Sequence, residues 1–174
     1  MKSKLRVVPL SFMLALSCAL TACVGSEQPP TQPLPRERPS SISMILSVSD
    51  GDTLYAVVNG IPEKIRLTGI DCPKHDQPFA REAMLLAKQL ALEKAVRITE
   101  LGRDKSHRLL GEVVLPDGRM LNRELVREGF CWWYRKYAPG DTVLEGLEKY
   151  AREERKGLWV DPRPVPPWEW QKRK

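Results

Sequence analysis

Three short segments of this 174-residue chain place acidic and basic side chains where they could work on phosphate. The first is Asp50-Gly51-Asp52-Thr53. The second is Ile65-Arg66-Leu67-Thr68-Gly69-Ile70-Asp71-Cys72-Pro73-Lys74, and the third is Asp104-Lys105-Ser106-His107-Arg108. Carboxylates are the oxygen donors a hard cation prefers, and guanidinium forks match phosphate oxygens. Gathered by paired strands, they would suit a cation-assisted reaction on phosphate. Singly, each has an ordinary explanation: Asp-Gly is a common turn, and an arginine in mid-strand can be a surface residue.

The flanking patterns supply the strands. Ile65, Leu67 and Gly69 alternate with polar neighbours, as in a half-buried strand, and Pro73 cannot continue a ladder. Ile42 to Val48 and Leu54 to Val58 read as two earlier strands, divided by the Asp50-Gly51 turn; Asn59-Gly60 is a hairpin signal before the third. Tight turns between consecutive strands argue for an antiparallel meander. From Phe79 to Lys94 the period changes, with Phe79, Ala83, Leu86 or Ala87, and Leu90 on one helical face. Val96 to Leu101 and Leu109 to Leu115 are two further strands. Leu121 to Glu128 is a short helix ended by Gly129. Thr142 to Lys156 is a third helix, expected to turn Leu144, Leu147, Tyr150 and Ala151 inward. Five short strands with one helix after the third is the order of an α+β chain built on a five-stranded Greek-key barrel, the OB-fold, with three helices.

The ends suggest a location. Lys2, Lys4 and Arg6 precede a short apolar run, Val7 to Leu20, which reads as a secretory leader over residues 1–23. Leu20-Thr21-Ala22-Cys23 looks like a bacterial lipoprotein cleavage box, with Cys23 as the lipid attachment site; the alternative is an ordinary leader with a chance cysteine. Residues 24–41 are proline-rich and read as a tether, 42–160 as the domain, and 161–174 as an extended tail rich in proline and tryptophan. This organisation places the domain outside the cytoplasm, lipid-anchored to a bacterial membrane in the periplasm or at the cell surface. The leader holds three of the 28 basic residues, so the formal +6 becomes +3 without it, a mild excess compatible with a polyanion. Cys72 and Cys131 remain as an even pair, open to one disulfide or to two free thiols, and lack the companions of a zinc site.

The three acidic and basic segments, followed by Leu121-Asn122-Arg123-Glu124-Leu125-Val126-Arg127-Glu128-Gly129 and Lys156-Gly157-Leu158-Trp159, stand in an order that resembles the staphylococcal-nuclease-like (thermonuclease) family. Pro167-Trp168-Glu169-Trp170 looks like a tail of secreted bacterial members. The resemblance implies a calcium-dependent endonuclease on an OB-fold, a monomer that cleaves DNA and RNA. It implies calcium carboxylates at Asp52 and Asp71, a backbone carbonyl from Cys72, and Asp50 just outside that shell. Arg66 and Arg108 match the arginines that bind the scissile phosphate, and Arg135 and Tyr137 stand at substrate-contacting positions. The resemblance also brings Cys72 and Cys131 side by side.

The family's water-orienting glutamate aligns with Lys74, the remaining member of the catalytic set. A protonated lysine cannot accept a proton. That substitution favours a second reading, a degenerate OB-fold lipoprotein that binds nucleic acid or another polyanion without cutting it. Asp76, if its loop bends inward, and His107 are alternative sources of a base. Trp132, Trp133, Tyr134 and Tyr137, interleaved with Arg135 and Lys136, form either a base-stacking platform or, in alternate members, part of the core.

Overall fold

A computed structural model describes residues 40–173. The leader, most of the tether and Cys23 lie outside the described residues. Strands β1 (Ser40–Asp50), β2 (Thr53–Val58) and β3 (Ile61–Leu67) pair in sequence as an antiparallel meander. The turn between β2 and β3 uses Asn59 and Gly60 at φ 52° and 81°, the left-handed conformations that suit a two-residue hairpin. Alternation in β2 buries Leu54, Ala56 and Val58 and exposes Tyr55 and Val57. After helix α1 (Ala80–Ala91), strands β5 (Ala95–Arg103) and β6 (Leu109–Val114) complete the sheet. β6 runs parallel to β3, β5 pairs antiparallel with both β6 and β1, and the barrel closes in the order β1-β2-β3-β6-β5. Closure removes free edges, and the interior is filled by Ile45, Leu54, Ile65, Leu67, Ile98 and Val113. Each such side chain contributes about 1.5–3 kcal/mol on leaving water.

Helix α1 packs on the barrel through Ala83, Ala87 and Ala91, small residues that let its backbone come close. Helix α2 (Leu121–Arg127) buries Leu121, Leu125 and Val126. Helix α3 (Thr142–Glu153) starts at Asp141, whose carboxylate accepts from the N–H groups of Val143 and Leu144.

Four sequence expectations need correction. The third strand stops at Leu67 rather than Ile70, because Gly69 turns the chain at φ 74° and lies against Leu144 and Ala138. The chain resumes as β4 (Ile70–Asp71), which pairs with β7 (Trp132–Trp133) in a separate two-stranded sheet. In α3, Leu144 and Ala151 are buried as expected, but Tyr150 points outward and Glu148 is buried in its place. Glu148 tolerates burial because its carboxylate accepts from the Trp133 N–H and from Arg135. The first strand begins at Ser40, within the stretch assigned to the tether. The tail is not extended throughout: Pro167–Trp170 forms helix α4, with proline suited to the first turn.

Candidate active site

Strand pairing brings the first two segments together. Thr53 on β2 stands opposite Arg66 on β3, so Asp52, one residue earlier, reaches the arginine. The Leu67 N–H donates to the Asp52 carbonyl at 2.9 Å, fixing that corner. β4 then delivers Asp71 to the other side of the guanidinium. Nη1 of Arg66 is in ionic contact with Oδ2 of Asp52, although its N–H is not aligned for a hydrogen bond there. Nη2 donates to Oδ1 of Asp71 at 2.8 Å and to the Ile70 carbonyl at 3.3 Å.

Asp52 is almost wholly buried and every contact it makes is a donor or a cation. Its Oδ2 accepts from the Cys72 N–H at 2.7 Å and its Oδ1 from the Thr53 hydroxyl at 3.0 Å. Burial works against its ionised form. Arg66, then Lys74 and the two hydrogen bonds, outweigh that cost and hold the carboxyl below its usual value. Asp71 goes the other way. Burial, joined by the neighbouring Asp52 charge, keeps it above the usual value despite Lys74 and Arg66. Arg66 is largely shielded from water too, yet the two acids raise its affinity for its proton, so it stays charged.

Lys74 places its ammonium 2.6 Å from Oδ1 of Asp71 and 3.8 Å from Oδ2 of Asp52. Cys72, between the acid and the lysine, is bonded to Cys131 with 4.2 Å between Cα atoms, and the register Asp71↔Trp132 brings the two cysteines together. The disulfide pins the residue whose N–H holds Asp52. Gly51 is required beneath it: a Cβ there would meet Ala83 at 2.8 Å and the Cys72 sulfur at 3.0 Å.

Asp52, Arg66, Asp71 and Lys74 line a cleft of about 1030 Å³, and Cys72 lies behind its wall. Asp50 and Arg108 also line it. Arg108 is steadied by Asp104, which accepts from its Nε at 2.6 Å and from its backbone N–H at 3.0 Å. Burial tends to raise the Asp104 pKa, but the Arg108 side chain and the turn N–H groups bring it below the usual value. Tyr137 is 70% exposed on the same cleft. Arg135 sits apart from these: its guanidinium lies 4.2 Å above the Trp133 ring and 2.9 Å from Glu148, and it lines a smaller neighbouring groove.

Neither alternative base reaches the site. Asp76 does not line the cleft; its carboxylate accepts from Nε1 of Trp170 in the tail at 3.2 Å. His107 adopts φ 60° and turns its carbonyl to Arg103, and it too is absent from the lining. Of the aromatic run, Trp132 and Trp133 are core, whereas Tyr134 is half-buried and Tyr137 exposed. Tyr134, weighed as part of a stacking platform, lines the cleft, whereas Asn122, Trp168 and Gln171 were not read as site residues. Asn122 follows Leu121 in the first turn of a helix that packs on the barrel, and at 3% exposure its amide needs partners. It receives the Val113 N–H and donates to the Thr68 carbonyl.

The donor set suits calcium in kind. Asp52, Asp71 and the Cys72 carbonyl are hard oxygens, and the tethered ammonium between the two acids shows that a positive charge is stabilised there. Among the described residues no third His, Cys, Asp or Glu side chain joins them. A metal would therefore depend on water and substrate oxygens to fill its shell, and would displace Lys74 from Asp71.

A closed barrel with buried acids around an arginine, facing an open cleft, defines a phosphate-directed protein of the OB type. The sequence profile of the family described as staphylococcal nuclease homologue matches residues 64–161. An uncharacterized endonuclease of Escherichia coli is 40% identical over 130 residues, covering 75% of this chain and 84% of the relative. A micrococcal nuclease of Shigella flexneri is 35% identical over 137 residues, 74% of this chain and 79% of the relative. An uncharacterized endonuclease of Haemophilus influenzae is 29% identical over 168 residues, 96% of this chain and 86% of the relative. The chain belongs to the staphylococcal nuclease homologue family, and its function is that of a nuclease-family hydrolase.

Proposed function

We propose that this chain is a calcium-dependent endonuclease that hydrolyses phosphodiester bonds of DNA and RNA. It acts as a monomer outside the cytoplasm, held to a bacterial membrane by a lipid on Cys23. The observation that carries the catalytic part is the largely buried Arg66 guanidinium, fixed from two sides by Asp52 and Asp71 in the wall of the cleft that Arg108 also lines. Arg66 is pre-oriented and permanently charged, so it binds a phosphodiester oxygen without reorganising as charge grows. Arg108, partly exposed and braced by Asp104, closes on the same phosphate from the loop before β6. Asp52 and Asp71 would hold calcium, which when bound polarises the phosphoryl group and orients water. Lys74 must leave Asp71 for that to happen, and its ammonium is then free to meet the nucleic-acid backbone. The anchor rests on the Leu20-Thr21-Ala22-Cys23 motif and the tether behind it.

The full chain, incubated with plasmid DNA or ribosomal RNA in calcium beside an EDTA control, should cut both polymers in calcium alone. Binding of both without cutting would overturn the catalytic reading. It would leave the second one, a nucleic-acid-binding member, which the Lys74–Asp71 contact favours. In cells, Cys23→Ser should release the protein from membranes; an unmodified N-terminus elsewhere, found by mass spectrometry, would overturn the anchor.

A further inference from the structure

A second groove of about 370 Å³ adjoins the catalytic cleft and is lined by Trp133, Tyr134, Arg135, Lys136, Trp168 and Lys172. It is continuous with that cleft, because Tyr134 and Trp168 line both. Trp168 comes from the C-terminal tail and lies parallel to Tyr134, with ring centroids 5.0 Å apart and planes within 6°. Tyr134 in turn meets Tyr137 edge to face at 4.9 Å, so three aromatic rings lead from one depression into the other. The basic residues differ in freedom. Arg135 is engaged by Glu148, whereas Lys136 and Lys172 are exposed and have no carboxylate within ion-pair distance among the described residues.

The tail is fastened in place independently of these rings. Gln77 donates from Nε2 to the Val165 carbonyl at 2.5 Å, and its Oε1 accepts from the Lys74 N–H at 3.1 Å. Trp170 donates to Asp76. Trp168 is thus presented on the rim by a segment tied to the loop that carries Lys74.

We propose that this groove is a subsite for single-stranded nucleic acid continuing from the scissile phosphate. A nucleobase stacks against the Trp168 and Tyr134 platform, and backbone phosphates meet Lys136 and Lys172. Aromatic faces can take a base only when it is unpaired, and free ammonium groups beside them match a strand with a charge at every nucleotide. The inference deepens the nuclease reading and rests on it. It also explains why an exposed cationic groove should hold partly exposed tryptophan and tyrosine, which charge alone does not require.

The test uses the full chain in EDTA, where strands stay whole, with a fluorescein-labelled octathymidylate and a thymidine dinucleotide as probes. Fluorescence anisotropy should show the octamer binding weakened about tenfold by Trp168→Ala, with dinucleotide binding, measured by competition, changed less than twofold. The double variant K136E/K172E should weaken the octamer similarly and lower its salt slope by roughly 1.4, about 0.7 for each phosphate contact on a single strand; both residues lie on the surface, so their loss does not disturb packing. If the wild type binds the octamer in EDTA and cuts it once calcium is added, while the lysine variant binds it as tightly with the same salt slope, the subsite is overturned and the nuclease reading stands. If the wild type neither binds the octamer in EDTA nor cuts it in calcium, both fall. Trp168→Ala counts only where its melting curve matches the wild type; where it does not, K136E/K172E decides.

Discussion

The Lys74 ammonium stands 2.6 Å from Oδ1 of Asp71 and 3.8 Å from Oδ2 of Asp52, so a tethered cation shares the two carboxylates that Arg66 also contacts. Two acids and two bases make the cluster neutral. A calcium ion entering without substrate would leave it with two excess positive charges in a poorly solvated place, whereas a phosphodiester arriving with the metal removes one of them. Metal and substrate should therefore bind together in the wild type.

Lys74→Glu tests this arrangement. The variant has three acids around one guanidinium, so it should melt lower than the wild type in EDTA and regain stability in calcium. Calorimetry should show tighter calcium binding to the substrate-free protein. Calcium-dependent cleavage should rise, by as much as roughly 10²–10⁴-fold if the new carboxylate also orients water. Equal calcium affinity in the two proteins would show that Lys74 does not guard the site.

Arg66 and Arg108 should separate stability from activity. Arg66 is largely buried between two acids, so Arg66→Met leaves Lys74 as their sole cation and should cost about 3–5 kcal/mol in urea denaturation as well as abolishing cleavage. The Arg108–Asp104 pair is partly exposed, so Arg108→Ala should alter stability by less than about 1 kcal/mol. Its cleavage rate should still fall about 10²–10³-fold. A large stability loss in Arg108→Ala with cleavage retained would reverse the assigned roles.

The barrel was legible because its signals are local. The Asp50-Gly51 and Asn59-Gly60 turns set the β1–β2–β3 meander, and that register alone carries Asp52 to Arg66. What escaped depends on contacts distant in sequence. The break at Gly69 is needed because α3 packs Leu144 against it, 75 residues further on. Glu148 takes an inward place from Tyr150 because Arg135 and the Trp133 N–H satisfy it. Asp76 accepts from an indole of the tail and does not line the cleft. No periodicity in the chain announces such partners, and it is they that leave Lys74 as the group on Asp71.

The Cys72–Cys131 bond closes a separation of 59 residues and fixes the donor to Asp52. The double variant C72S/C131S, which avoids leaving one thiol alone, should lose about 2–4 kcal/mol in urea denaturation. Its calcium-dependent cleavage should fall too, because the loop after Asp71 is less constrained. Reduction of the wild type should reproduce both effects. An unchanged midpoint, with mass spectrometry confirming two free thiols after reduction, would show that the bond carries neither role.

The final prediction concerns the join between α2 and the turn after α3. Lys156 places its ammonium 3.0 Å from Oε2 of Glu128, above the backbone contact in which the Leu158 N–H donates to the Gly129 carbonyl. Burial alone would raise the Glu128 pKa, but the hydrogen bonds from Lys156 and Arg127 bring it below its ordinary 4.5. A folded value below the unfolded one gives stability that is present above the unfolded pKa and is lost as pH falls through the folded value. Lys156 is raised above its ordinary 10.5, chiefly by the same hydrogen bond, so its contribution is present below that pH and is lost as pH rises through the folded value. Glu128→Gln should therefore lower the melting temperature most between these limits. The gap from the wild type should shrink below pH 4.5, and at neutral pH it should narrow in 1 M salt, since the pair is partly exposed. A gap that stays constant from pH 7 down to pH 3 would mean that the join is held by the Gly129 backbone contact and packing rather than by the ion pair.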